Sequence, residues 1–325
     1  MTRPIEPGDP SVFRRARLLD VLVPTRNRPA ELAVTLAGLA AQRPGPAGGA
    51  DRSRPGADEG QGGFGVVVSD QSDGPEPAWA EPAAAAMVRV LRHRDHPVLL
   101  TRRLPRRGLA EHRAYLLDAS AARYVLFLDD DVWLEPGTVD RLLTAVQELD
   151  CGFVGNAVHG LSYLEDVRPE THRHYQEWGG RPVPERPRPG TPEWDRAQIH
   201  SAANLLHVTA ARRLSPGQWR AYKISWIGGC VLYHRERLRA VGGFDFWRQL
   251  DPGHQGEDVA AQLAVMSRYA GAGVLPSGAY HLEAPTTVTE RTVEAWEVVL
   301  ADHPDPAPAE ATDRRTGQLT DQPHS

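Results

Sequence analysis

The chain has 325 residues, enough to bury a large core as one big domain or two small ones. Its formal net charge of -5 gives no basic footprint for a nucleic-acid backbone, so nucleic acid is not an expected partner, while a small anion held locally is still allowed. The two cysteines, Cys151 and Cys230, are far apart and form no CxxC pair, which argues against structural zinc or a disulfide framework and for a reducing, cytoplasmic setting. Met1 to Pro10 is polar and proline-rich, unlike a signal peptide, and no apolar run approaches about 18 residues. No transmembrane segment is therefore expected, and peripheral membrane contact stays open.

In chain order, residues 1–17 read as a flexible N-terminus and Leu18 to Pro24 as a strand. Pro29 to Gln42 reads as a helix, with Leu32, Leu36 and Leu39 on one stripe and Glu31 in the first turn. Residues 43–63 form a Gly/Pro-rich insert too polar to offset its ordering entropy, so they are expected to be disordered. Phe64 to Ser69 is a second strand and Val88 to Leu91 a third. Leu109 to Ala121 is a helix, Tyr124 to Leu128 a strand, and Pro136 to Leu149 a helix burying Val139, Leu142, Leu143 and Val146. This alternation predicts an α/β layer fold with a mostly parallel central sheet, whose ligands bind at the carboxyl ends of the strands. His159 to Ser225 breaks the alternation and is rich in Arg, Pro, His and Trp, as expected of a substrate-facing elaboration. Residues 302–325 form a polar tail, expected to be disordered.

The sharpest chemical signal is Asp129-Asp130-Asp131, directly after the apolar run YVLFL. Three carboxylates at a strand end repel one another, and a hard divalent cation would relieve the repulsion. Asp70 falls on the same edge. Far along the chain, Glu257-Asp258 opens a helix that carries Val259, Leu263 and Met266, after a loop with two glycines. Adjacent helical residues point about 100° apart, so one carboxylate can face a substrate while the other braces the loop. A helix N-terminus is expected to lower a carboxylate's pKa.

Other patterns carry less. Gly60, Gly62 and Gly65 satisfy G-x-G-x-x-G but lead into a strand instead of opening a helix, which rules out the dinucleotide reading. A dehalogenase-type phosphatase motif is disfavoured by Trp133 at its last position. His172-Arg173-His174 and the pair His93 and His96 have metal-compatible spacing without a second ligand cluster. Trp178, Trp194, Trp219 and Trp226 offer flat faces that suit sugar rings, or ordinary packing.

In order and spacing, six segments resemble a GT-A glycosyltransferase, most like family 2. They are VLVPTRNRPAELAVTLAGLAAQ from Val21, VVVSDQSDG from Val66, GLAEHR from Gly108, VLFLDDDVWLEPG from Val125, and GGCVLYHRERLRAVGGFD from Gly228 followed by Gly256-Glu257-Asp258. The resemblance covers most of Leu18 to Pro285 and implies a Rossmann-like three-layer sandwich. Residues 18–158 would bind the nucleotide sugar, and 159–301 would form the acceptor-binding and catalytic half of the same domain. By that resemblance Pro24, Thr25, Asp70, Arg113 and Asp129 bind the donor. Asp131 and His281 hold Mn²⁺ or Mg²⁺, Asp130 is a spacer, Asp258 is the general base, and Glu257 stands beside it. The implied reaction is a hexosyltransferase-type transfer, by inverting single displacement, from a nucleotide-diphosphate sugar to the hydroxyl of a glycan, lipid-linked sugar or small molecule. Two segments depart from the family pattern. The acidic turn reads Ser-Asp-Gln-Ser-Asp where Asp-Asp-Gly-Ser is usual, and the helix carries His112-Arg113-Ala114 where Ala-Arg-Asn is usual. Base preference is thereby left open. The rival readings are a nucleotidyltransferase, disfavoured because residues 25–29 are not glycine-rich, and a non-catalytic nucleotide- or glycan-binding protein.

Overall fold

Apolar runs closed by polar turns become the strands of the central sheet. A computed structural model describes residues 5–42, 63–286, 291 and 293–302. The insert at 43–63 and the tail at 302–325 lie, apart from Gly63 and Asp302, outside the described residues, as do Gly60 and Gly62. The strands are β1 (Leu19–Thr25), β2 (Gly65–Asp70), β3 (Val98–Arg102), β4 (Tyr124–Leu128), β5 (Val132–Leu134), β6 (Phe153–Gly155) and β7 (Val158–Gly160). Then follow β8 (Arg220–Tyr222), β9 (Cys230–His234), β10 (His254–Gln255), β11 (Gly271–Leu275), β12 (Ala279–His281) and β13 (Val293–Glu294). The helices are α1 (Pro10–Phe13), α2 (Pro29–Ala40), α3 (Pro82–His93), α4 (Leu109–Asp118), α5 (Thr138–Leu149), α6 (Pro192–Asp195), α7 (Asn204–Arg212), α8 (Arg235–Ala240), α9 (Glu257–Tyr269) and α10 (Ala295–Asp302).

The main sheet has eight strands in the order β3-β2-β1-β4-β9-β6-β11-β8. Only β8 and β9 run against their neighbours; the other pairings are parallel. A separate small sheet has the order β5-β12-β7. Every residue of β1, β2 and β4 is buried, as expected for strands covered by helices on both faces. Alternate residues feed two cores. Val21, Val23, Val66 and Val68 pack with Leu32, Leu36 and Leu39 of α2 on one face. Leu22, Val67, Val125 and Phe127 pack with Leu116 and Leu117 of α4 on the other. Among the described residues no helix is long and apolar enough to cross a membrane.

The structure corrects one strand. Val88 to Leu91 lies inside α3, whose buried residues Ala84, Ala85, Val88 and Leu91 recur at helical spacing. Pro82 sits in its first turn and the Glu81 side chain accepts hydrogen bonds from the amides of Ala83 and Ala84, so the helix has a defined start. The third strand is instead β3, Val98–Arg102. Residues 5–17, read as a flexible N-terminus, lie against the fold: Phe13 is buried and the Leu100 amide donates to the Pro7 carbonyl at 2.7 Å. The irregular middle region is built from short helical turns at Leu161–Tyr163, Pro169–His174 and Arg196–His200, with α6, α7 and β8.

Candidate active site at the strand ends

The carboxyl ends of β1, β2 and β4 meet at one edge because these strands are parallel and adjacent, with Thr25 in register with Asp70. β4 runs directly into Asp129–Asp131, whose carboxylates are divided between two arginines, Arg113 for the first and Arg28 for the other two. Thr25 Oγ1 donates to Asp130 Oδ2 at 2.7 Å, and Arg28 Nη1 donates to Asp130 Oδ1 at 3.1 Å. Thr35 Oγ1 donates to the Asp130 carbonyl at 2.8 Å. Asp130 is therefore an anchor for β1 and α2, not a spacer. Burial pushes its carboxyl up to about 7, against the pull of Thr25 and Arg28.

Asp131 Oδ2 accepts from Arg28 Nη1 at 2.6 Å and lies 3.4 Å from His281 Nε2. Antiparallel pairing of β12 with β5, His281 opposite Val132, brings the histidine there. Burial raises the Asp131 pKa, and Asp129 adds to this, while His281 and Arg28 oppose it. His281 Nδ1 accepts the Glu283 amide at 2.9 Å, which leaves the proton of a neutral ring on Nε2, facing Asp131. Arg28 meets the same oxygen. Among the described residues no group of three His, Cys, Asp or Glu side chains could hold a metal. In this arrangement the residues do not fit a metal centre.

The two acidic clusters meet through Arg113. This residue of α4 donates from Nε to Glu257 Oε1 at 2.8 Å and from Nη2 to Asp129 Oδ1 at 3.0 Å. Its guanidinium carbon lies 5.5 Å from the centre of the Phe127 ring. Burial works against its charge, but Asp129, Glu257 and Asp258 outweigh burial and raise its pKa. Arg113 is thus spent on carboxylates and does not line the cavity described below.

Glu257 is buried at 3 % exposure and braced by that arginine. Asp258 is only half-buried, and its Oδ1 accepts the Val259 amide at 2.8 Å. Its pKa is not lowered by the start of α9. Burial foremost, then Glu257, push it up to about 7, with Arg113 pulling the other way. Desolvation and a neighbouring carboxylate exceed the helix-terminus effect here.

The preceding loop is fastened to α4. His254 Nε2 accepts the Ala110 amide at 3.0 Å, and Nδ1 is 2.6 Å from the Asp251 carbonyl. This supplies a partner for a first-turn amide of α4, where Gly108 precedes the helix without a side-chain cap. A Cβ at Gly108 would lie 2.3 Å from His254 Cε1, and its φ of +96° suits glycine.

A cavity of about 820 Å³ opens at this edge. Pro24 and Thr25 line it with Asp129, Asp130, Asp131 and His281, and the loop from Asp251 to His254 forms part of its rim. Arg26, Arg28, Arg106 and Arg291 supply positive walls. Asp70 is absent from the lining. It is 0 % exposed, and its oxygens accept from the Ser72 amide at 3.1 Å, Ser72 Oγ at 2.5 Å and the Ala78 amide at 3.3 Å. Gln71 lines the cavity in its place. Sequence reading missed Arg28, Gln71, His112 and His254; the only signals were that Gln71 and His112 stand at departures from the family pattern.

The tryptophans separate. Trp194 packs on Trp226 and on Trp296, with ring centres 4.7 and 4.9 Å apart. Trp178 and Trp219 pack against the main core instead.

The family model described as Glycosyl transferase family 2 matches residues 20–203, more than half of the chain. No curated protein sequence matches. Among solved structures, the mannosyltransferase PcManGT from Pyrobaculum calidifontis, in complex with GDP-Man and Mn²⁺, aligns with a TM-score of 0.50 at 15 % identity, over 93 % of this chain and 65 % of that one. S. aureus TarS 1-349 aligns with a TM-score of 0.46 at 15 % identity, over 81 % of this chain and 60 % of that one. The chain thus spans less than two thirds of the length of either. The first likeness shows a shared GT-A fold.

Proposed function

Because the chain belongs to glycosyl transferase family 2, we propose that it moves a sugar from a nucleotide-diphosphate sugar to an acceptor hydroxyl. The observation that supports this most is the Arg113 bridge, which draws Asp129 and the Glu257-Asp258 pair together beside an arginine-walled cavity. The diphosphate is proposed to lie across the ends of β1 and β4. There Arg28, Arg106 and Arg291 face its negative charge, and guanidinium groups suit phosphate oxygens. Residues 18–158 would serve the donor and 159–301 the acceptor, with the loop before α9 shared between them.

Asp258 is the proposed base. A carboxyl held near 7 is half-ionised at neutral pH and is a stronger base than an ordinary aspartate. It would take the acceptor proton from the face opposite the departing nucleoside diphosphate, and the single displacement would invert the anomeric centre. Glu257 would hold the loop through Arg113. A hexose is the proposed sugar class and the cytoplasm the proposed setting.

The divalent cation of the family expectation, Mn²⁺ or Mg²⁺ at Asp131 and His281, does not fit the arrangement described above and is put to its own test. Purified protein is incubated with UDP-, GDP- and TDP-sugars and a panel of acceptors, and released nucleoside diphosphate is measured. Release that requires both donor and acceptor supports the reading. Release of pyrophosphate would point to nucleotidyl transfer, and binding without turnover to a non-catalytic protein. Loss of turnover in EDTA, restored by Mn²⁺, supports the cation; full turnover in EDTA removes it.

A further inference from the structure

Three buried polar atoms without a partner gather in the irregular middle region. They are His172 Nε2, His207 Nε2 and Asn204 Oδ1. His172 lies on the turn Pro169–His174, and Asn204 and His207 lie on α7. None of the three residues lines the cavity at the strand ends. Asn204 is 0 % exposed, and both histidines are half-buried with that ring nitrogen shut off from solvent. Buried polar atoms are paired in the great majority of cases, so three unpaired ones in one place point to something that pairs them.

The three share one seam. Asn204 and His207 are three residues apart on α7 and so lie on one face of it. Asn204 Nδ2 donates to Thr171 Oγ1 at 2.7 Å, which ties that face to the residue before His172. The ring centres of His172 and His207 are 6.5 Å apart, with the planes 30° from parallel. Thr171 also fixes which way the amide points. Its hydroxyl donates to the Arg168 carbonyl at 2.8 Å, so Oγ1 has only lone pairs left for Asn204. The amide must turn its NH₂ there, and its oxygen is the atom left over.

Two imidazole nitrogens and a carbonyl oxygen have one property in common: each can offer a lone pair. A cation uses all three at once. Imidazole suits zinc and the neighbouring transition ions rather than Mg²⁺ or Ca²⁺. Zinc–nitrogen bonds of about 2 Å place two ring centres roughly 5–6.5 Å apart, according to the angle at the metal. The observed separation lies at the open end of that span, so a tetrahedral ion would draw the turn and α7 slightly together. The described residues hold no triad of His, Cys, Asp or Glu fit for a metal, and here the third donor is an amide. The second ligand cluster that His172-Arg173-His174 lacks in the sequence is supplied by α7.

We propose that His172, Asn204 and His207 bind one divalent transition ion of the zinc class, with water completing its coordination. The ion staples the turn to α7, in a region of short turns and short helices where metal–ligand bonds add cohesion. The proposal does not depend on the transferase reading.

The test needs no turnover. The untagged full chain, stripped with EDTA and freed of it, is titrated with Zn²⁺ by calorimetry, and its thermal melt is followed with and without the ion. One Zn²⁺ per chain should bind at this site and raise the Tm. His172→Ala and His207→Ala should each weaken that binding by at least about tenfold and abolish the rise, since even an outer partner of a metal ligand is worth about 10–100-fold. His172→Gln and His207→Gln, closer in size to the native residue, give a second arm if the alanine variants fold poorly. His174→Ala should bind zinc as the wild type does, because His174 Nε2 already meets Arg173 Nε at 3.3 Å. His281→Ala should do the same, which separates this site from the strand-end edge. Absence of zinc uptake, uptake unchanged in both the His172 and His207 variants, or uptake lost with His281 overturns the proposal.

Discussion

The two acidic clusters are built in opposite ways. In Asp129–Asp131 every carboxylate has a cationic partner: Arg113 for the first, Arg28 for the second and third. In Glu257-Asp258 a single arginine is given to Glu257, and the Asp258 carboxylate keeps one backbone amide. One cluster is locked and the other leaves an acid in reserve. Charge count alone does not separate a binding acid from a reacting one; the distribution of counter-charges does.

The sharpest way to break this contrast is Asp258→Asn. It removes the proposed base while keeping size and hydrogen bonding, so kcat should fall by about 10²–10⁴-fold with nucleotide affinity little changed, in the nucleotide-release assay and by calorimetry. A variant that turns over like the wild type would end the assignment. Arg113→Ala attacks the shared partner. It leaves Asp129 and buried Glu257 without their counter-charge, and denaturant titration should show a loss of about 3–5 kcal/mol.

The pH response sharpens the contrast further. Asp130 and Asp258 are both held near 7 against an ordinary value of 3.8. Between those values the folded state keeps protons that the unfolded chain has released, so these acids make stability fall as pH rises through about 7. Asp258→Asn, which cannot ionise, should gain stability relative to wild type as pH is raised from about 5 to about 8, measured by thermal melts. Wild-type kcat/KM should rise over the same window as the base ionises. Thr25→Val should have the smallest effect: it removes one hydrogen bond to Asp130 and should cost about 1 kcal/mol, again by denaturant titration.

Much of the scaffold was legible because a parallel sheet covered on both faces writes its strands as continuous apolar runs, and β1, β2 and β4 are such runs. Val88 to Leu91 deceived because four residues are too few to tell a strand from one turn of helix; only the wider spacing from Ala84 to Leu91 decides it. Within the site, Asp129–Asp131 and Glu257-Asp258 stood out by composition. The network between them did not, since Thr25 reaches Asp130 across 105 residues and Arg113 reaches Glu257 across 144. The pKa of Asp258 was misjudged because the helix start is local in sequence, whereas the burial that contributes most is tertiary; the Glu257 carboxylate that adds to it was in view but not weighed.

The first two turns of α4 join both acidic clusters to the loop before α9. Through Arg113 the helix holds Asp129 and Glu257, and through the Ala110 amide it holds His254. Parts mounted on one rigid bar share its jitter. A small tilt of α4 would carry the strand end, the loop and the base the same way, so the spacing between donor and acceptor sides would vary less than the position of either. The helix works as a common datum, and registration across these parts is set by one element instead of being negotiated among three.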